Sequence, residues 1–294
     1  MDASGDETLV VGLIGAGIGQ SLSPALHEQE ASLLGFDYDY RLLDLDELDR
    51  PASDVGALVR EAHRDGLRGL NVTHPCKQLV VEALDELSPE AVALGAVNTI
   101  VFRDGRTTGY NTDSSGFQEG FERRLPGART DRVVLLGAGG AGAAVGHAIL
   151  SLGAGQVTVL DVERERADEL AEGLVRQFGA GSAAAADTAQ LADLLAQADG
   201  VIHATPTGME AHPGTAVPAE LLDPRLWVAE VVYLPIVTQL LEDARERGCR
   251  TLDGAAMVAL QAAGSLELFT GARPDRDRML DHVDELIAGR SQAA

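Results

Sequence analysis

The sequence predicts an α/β protein built as two domains. Apolar strand-like runs alternate with helical patterns, and the alternation restarts at a glycine-rich strand, loop and helix near residue 132. The chain's 294 residues also exceed the ~100–150 typical of one domain, and 45% hydrophobic content suffices for a large core.

In chain order, residues 9–14 read as a buried strand ending at Gly15. A loop then leads to Ser23-Pro24, a helix N-cap with proline at the first helical position, and Gly35 ends that helix. A strand over 38–45, a helix over 53–63, a short strand over 70–72 and a helix over 76–87 continue a largely parallel layer. Strands over 97–103 and 107–110 flank Asp104-Gly105, a two-residue hairpin signal. The second series opens with a strand over 132–136 and an alanine-rich helix closed by Gly153, followed by a strand over 157–160. Ala167, Leu170, Ala171, Leu174, Val175 and Phe178 then share one helical face. Residues 179–186 read as a loop or weak strand, and 201–204 and 227–232 as further strands. Two helices, over 256–270 and 275–287, close the chain with no strand between them, so they are expected to cover another part of the molecule.

With 23 Lys+Arg against 46 Asp+Glu the net charge is −23, which argues against nucleic acid or an anionic membrane surface as the main partner. No run approaches the ~20 apolar residues of a membrane helix, and residues 1–8 are polar and acidic, so a cytoplasmic protein is expected. Cys76 and Cys249 match no zinc or redox spacing and read as buried thiols. His27, His63, His147, His212 and His282 lack metal-ligand spacing, and no metal site is expected.

The strand over 132–136 runs into Gly137-Ala138-Gly139-Gly140-Ala141-Gly142, a dinucleotide fingerprint in its proper context. Gly137 permits the tight turn, Gly139 lets backbone approach a pyrophosphate, and Gly142 allows close helix–sheet packing; the phosphates face helix N-terminal N–H groups. Asp161 ends the next strand, near the ~20-residue spacing at which a carboxylate accepts ribose hydroxyls. That carboxylate would repel a 2′-phosphate, which favours NAD over NADP. Arg164 and Arg166 sit among Asp161, Glu163 and Glu165 and read as a solvated helix start, with Arg166 kept as a cofactor-side candidate.

The cation inventory is uneven: 22 of the 23 are arginine, and Lys77 is the only lysine. Arginine holds its proton at any accessible pH whereas lysine exchanges one, so a lone lysine suggests a task arginine cannot perform. It ends Asn71-Val72-Thr73-His74-Pro75-Cys76-Lys77, just after a predicted strand, where α/β sheets place their ligands. The other two asparagines lie in Gly95-Ala96-Val97-Asn98-Thr99 and Gly109-Tyr110-Asn111-Thr112-Asp113, and Ser21-Leu22-Ser23-Pro24 offers two hydroxyls at a helix start.

These segments, with Ala204-Thr205-Pro206-Thr207-Gly208-Met209, Gly254, Met257 and Gln261, resemble the shikimate dehydrogenase family nearly end to end, and within it the actinobacterial quinate/shikimate dehydrogenase branch. The resemblance implies a substrate domain of residues 1–118 plus 256–294 around a Rossmann domain of 119–255. It implies NAD-dependent, reversible oxidation of a ring hydroxyl of quinate or shikimate, with Lys77 and Asp113 as the catalytic pair. Ser21 and Ser23 match the serines that hold the substrate carboxylate, although Ser23 also reads as the helix N-cap. Thr73, Asn98, Asn111, Tyr233 and Gln261 match positions that contact the ring hydroxyls or the carboxylate, while Thr205, Gly254 and Met257 fall on the cofactor side. The partners implied are small molecules only, with a monomer or homodimer expected. Four residues depart from the family's pattern: His74 from an apolar residue, Cys76 from an aromatic, His203 from asparagine and Glu230 from aspartate. The alternatives are an NADP-dependent biosynthetic shikimate dehydrogenase, an enzyme for an amino-substituted analogue, and a catalytically silent metabolite-sensing module. The last should lack the catalytic pair or carry a DNA-binding segment.

Overall fold

The computed structural model describes residues 8–293, so the polar start at 1–7 lies outside the described residues. Contacts divide the chain into two compact units, one running up to Thr112 and resuming at Ala259, the other Asp113–Val258. The boundaries therefore fall at 112/113 and 258/259, against the expected 118/119 and 255/256.

The first unit contains β1 (Leu9–Gly15), α1 (Ser23–Leu33), β2 (Tyr38–Asp44), α2 (Val55–Arg64), β3 (Gly69–Val72), β4 (Glu86–Leu87), α3 (Pro89–Leu94), β5 (Thr99–Arg103) and β6 (Arg106–Tyr110). Its six-stranded sheet has the order β2-β1-β3-β5-β6-β4. β1 is parallel to β2 and β3, and β4 to β6, whereas β5 is antiparallel to both β3 and β6, so among the described residues five of the six strands run one way, the largely parallel layer expected, with β5 reversed. The β5–β6 hairpin turns at Asp104 and Gly105, both at positive φ as that two-residue turn requires. One sheet face is covered by an apolar cluster including Ile14, Val59, Leu70, Val80 and Ile100. The other packs Val11, Leu13, Tyr40 and Val101 against Phe269.

The helix expected over 76–87 does not form. Only a short 3-10 turn, Val81–Ala83, appears there, and residues 86–87 pair with β6. Asp85 decides this: its carboxylate accepts from the Thr107 N–H (2.8 Å) and hydroxyl (3.0 Å), pinning the segment to the sheet. Those bonds hold the Asp85 carboxyl below the usual carboxylate range.

The second unit holds α4 (Thr112–Arg124, from its second residue), β7 (Arg132–Leu136), α5 (Gly140–Ser151), β8 (Gln156–Leu160), α6 (Arg164–Phe178), β9 (Ala183–Ala185), α7 (Leu191–Leu195), β10 (Gly200–His203), β11 (Trp227–Glu230), α8 (Gln239–Glu246) and β12 (Arg250–Leu252). Its sheet runs β12-β11-β10-β7-β8-β9, parallel throughout, which is the doubly wound order of a dinucleotide-binding fold. α9 (Gly254–Thr270) begins in this unit and returns to the first, where α10 (Arg276–Ala293) follows. Arg278 on α10 reaches the buried Glu30 of α1 through two bonds of 2.7 and 2.6 Å, fixing the last helix on that unit. Among the described residues no helix is long and apolar enough to cross a membrane.

Candidate active site

In the first unit the topology gathers the candidate substrate residues. β1 and β3 run side by side in parallel, so the loops carrying Ser21, Ser23, Thr73 and Lys77 leave the same end of the sheet. β5, antiparallel to β3, starts at that end just after Asn98, and β6 finishes there just before Asn111. Backbone bonds stitch these segments: Thr73 N–H to the Ile14 carbonyl (2.9 Å), Ala16 N–H to His74 (3.0 Å), Val72 N–H to Asn98 (2.8 Å) and Val97 N–H to Lys77 (2.8 Å). The half-buried Lys77 is thus held beside the strand that begins after Asn98.

Ser23 is not the helix N-cap expected of it. Leu22, already in the right-handed helical region, is the residue preceding α1, and no side chain caps it. Ser21 Oγ instead accepts the Ser23 N–H at 3.2 Å. Burial pushes the Tyr40 phenol above its usual range.

From Tyr40 a buried polar seam continues inward. Its hydroxyl donates to Asn71 Oδ1 (2.9 Å), and Asn71 Nδ2 donates to the Asn98 carbonyl, Thr99 Oγ1 and Ser265 Oγ at 3.2, 3.1 and 3.0 Å. Asn98 Oδ1 accepts from Thr112 N–H (2.8 Å) and Thr99 (2.9 Å), while its Nδ2 donates to Thr112 Oγ1 (2.9 Å) and Gln261 Oε1 (3.4 Å). Asn111 Nδ2 donates to the Ala96 carbonyl at 3.0 Å. Asn98 and Gln261 therefore belong to one network whose other members, Tyr40, Asn71, Thr99, Thr112 and Ser265, sequence reasoning did not assign. The scarcity of asparagine was the only available signal, and it pointed at Asn71 without giving it a role.

In the second unit the glycine loop has the geometry its sequence promised. Gly137 adopts φ +102°, and a Cβ there would stand 2.6 Å from the Ala204 carbonyl; a Cβ on Gly142 would overlap the Gly137 carbonyl. Gly139 and Gly140 instead face open space, so backbone at the start of the twelve-residue α5 is approachable, as a pyrophosphate requires. Asp161, just past β8, accepts Ala138 N–H at 2.8 Å through Oδ2 and Glu163 N–H at 2.9 Å through Oδ1. Each oxygen keeps a second lone pair for a ribose hydroxyl. Arg164 pairs with Asp168 (3.0 Å) and Arg166 with Glu163 (3.2 Å), both exposed. Asp113 is buried in the first turn of α4, Tyr233 is half-buried after β11, Thr205 follows β10, and Gly254 and Met257 open α9. Among the described residues no group of three His, Cys, Asp or Glu could hold a metal ion.

A doubly wound sheet whose first strand ends in this loop, carried in one chain with a separate α/β unit that gathers polar side chains at one sheet end, defines a two-domain nicotinamide-dinucleotide oxidoreductase. Residues 13–100 match the model of the shikimate dehydrogenase substrate binding domain, and 120–211 that of shikimate / quinate 5-dehydrogenase. The chain is 60% identical to shikimate dehydrogenase (NADP(+)) of Streptomyces avermitilis, over 95% of this chain and 96% of that one. It is 45% identical to quinate/shikimate dehydrogenase (NAD(+)) of Corynebacterium efficiens, over 93% and 96%. The solved structure of quinate dehydrogenase from Corynebacterium glutamicum in complex with NAD matches with a TM-score of 0.88 at 45% identity, covering 93% of this chain and 98% of that one. The chain belongs to the shikimate dehydrogenase family.

Proposed function

We propose that the protein is an NAD-dependent dehydrogenase that reversibly oxidises a ring hydroxyl of quinate, shikimate or both to the ketone. The convergence of Ser21, Ser23, Thr73, Lys77, Asn98 and Asn111 at one sheet end supports this reading. The first unit takes the substrate and the second the dinucleotide. Quinate and shikimate are small anions and gain nothing from the field of a chain of net charge −23, so local donors, Ser21 and Ser23, hold the carboxylate. Lys77 Nζ accepts the proton of the reacting hydroxyl and then, as an ammonium, stabilises the developing charge on that oxygen. Asp113 orients Lys77. Thr73, Asn111, Tyr233 and Gln261 face the remaining polar groups, with Asn98 ordering Gln261 from behind. When bound, the dinucleotide would supply the hydride acceptor, with its pyrophosphate held by residues 137–142, a ribose by Asp161, and Thr205, Gly254 and Met257 on the cofactor side. The protein works in the cytoplasm on free small molecules, as a monomer or homodimer.

The preference for NAD is supported by Asp161, whose carboxylate would repel a 2′-phosphate on the adjacent ribose, and by Arg164 and Arg166 being already paired with carboxylates. The name of the Streptomyces relative favours a second reading, NADP. The test is kcat/KM for quinate, shikimate and their amino analogues with each dinucleotide. NAD should win by at least about tenfold, and Asp161→Asn should narrow the gap, because repulsion of a phosphate by one adjacent carboxylate is of this order. A wild-type preference for NADP refutes the cofactor assignment.

A further inference from the structure

His203 and Glu230, twenty-seven residues apart in the chain, meet in the sheet. β10 and β11 are parallel neighbours with His203 directly opposite Glu230 in the register. Both side chains are fully buried, and His203 Nδ1 lies 2.9 and 3.0 Å from the two carboxylate oxygens. Glu230 Oε1 also accepts from the Val232 N–H (2.9 Å) and Oε2 from the Thr238 hydroxyl (3.0 Å), while Thr238 caps α8. A carboxylate only accepts, so Nδ1 is the ring's donor toward it. The other ring nitrogen, Nε2, faces the Thr205 hydroxyl, whose oxygen accepts the Thr207 N–H at 3.3 Å.

Thr205 stands at a consequential place. A Cβ on Gly137 would lie 3.0 Å from its methyl group, so it packs against the first glycine of the dinucleotide loop. β7 and β10 are neighbours from which the sheet winds in opposite directions, the switch point where such folds bind their ligands. Hydrogen bonds thus run from the α8 cap through Glu230 and His203 to the rim of the cofactor loop. A buried ionisable pair adds little net stability compared with apolar side chains, so stability alone does not account for it.

We propose that His203 and Glu230 are a positioning pair for dinucleotide binding, acting through Thr205; this rests on assigning the second unit to the dinucleotide. Nδ1–H donates to Glu230 and Nε2 shares a hydrogen bond with the Thr205 hydroxyl, which fixes the direction of the Thr205 oxygen for a polar group of the dinucleotide such as a ribose hydroxyl or the carboxamide, groups common to NAD and NADP.

The two nitrogens can be separated by substitution. His203→Asn keeps an amide near the Nδ1 position and the bond to Glu230 but cannot reach Thr205; His203→Gln reaches Thr205 but releases Glu230. Kd is measured by calorimetry for NAD and NADP, beside the melting temperature and the substrate KM. His203→Asn should raise both dinucleotide Kd values about tenfold, the scale of one lost hydrogen bond, and leave the substrate KM within about twofold. Thr205→Val should do the same, Thr205→Ser should not, and the double variant should be no worse than either single one. His203→Gln should keep affinity and lose thermal stability. Unchanged Kd in His203→Asn, or effects of His203→Asn and Thr205→Val that multiply, would overturn the proposal. If His203→Asn does not fold, His203→Ser, which likewise cannot reach Thr205, takes its place in the cycle under the same criteria. A wild type that prefers NADP revises the proposed function and leaves this inference intact, because both dinucleotides are read.

Discussion

Acid should weaken the first unit through one buried side chain. His27, on α1, is fully buried among Tyr38, Tyr40 and Phe269, with ring centroids 6.0, 4.9 and 6.1 Å away. Its Nδ1 meets the Tyr38 hydroxyl at 3.1 Å, and among the described residues Nε2 has no hydrogen-bond partner. Burial pushes its pKa down from 6.5 to about 3. The folded ring therefore stays neutral where the unfolded chain has already taken up a proton. Stability is unaffected above pH 6.5 and falls below it by about 1.4 kcal/mol per pH unit, continuing until about pH 3. By pH 4.5 the loss reaches about 3 kcal/mol, a large fraction of the ~5–15 kcal/mol typical of a domain. The only tryptophan, Trp227, lies in the other unit, so amide exchange in α1 and β2 is the appropriate readout. His27→Phe removes the titrating group and should flatten the pH dependence of opening by one proton. Equal slopes in wild type and variant between pH 6.5 and 4.5 would refute the reasoning.

Three further changes probe other links. Gly142→Ala places a methyl group onto the Gly137 carbonyl and should cost the second unit about 2 kcal/mol in urea unfolding followed by Trp227 fluorescence. Gly139→Ala, where a Cβ meets nothing within 4 Å, should unfold like the wild type yet bind dinucleotide several-fold more weakly by calorimetry. Arg278→Ala strips the buried Glu30 of both guanidinium bonds and should destabilise the first unit by about 2–3 kcal/mol, less than for a fully enclosed pair because Arg278 is 38% exposed. Amide exchange in α1 and α10 reads that loss, and unchanged protection would show that the pair holds nothing.

What the sequence disclosed, and what it hid, follows from the range of the interactions. The Asp104-Gly105 turn and the 137–142 loop were legible because their backbone conformations depend on residues adjacent in the chain. The stretch 76–87 was misread because its apolar spacing looks helical, while Thr107, twenty-two residues from Asp85, draws it to the sheet. Ser23 was misplaced as a cap because Ser21, two residues earlier, supplies the local hydroxyl acceptor. The candidate substrate residues stand in separate short segments of the sequence, whereas the seam joining Tyr40 to Gln261 needs α9 to return from the far end of the chain, as Ser265 shows. His203 and Glu230 stood out singly for the same reason: only strand register reveals them as partners.

In the proposed mechanism Lys77 is lysine because its task needs a proton that can leave. The direct measurement is the rate of NADH formation from quinate and shikimate by wild type and Lys77→Arg, with dinucleotide Kd recorded on both. Arginine keeps its proton at any accessible pH, so the substituted side chain can neither accept the hydroxyl proton nor return it. A fall in kcat of at least about 10²-fold with an unaltered Kd is the predicted result. Near-normal turnover in Lys77→Arg would contradict it.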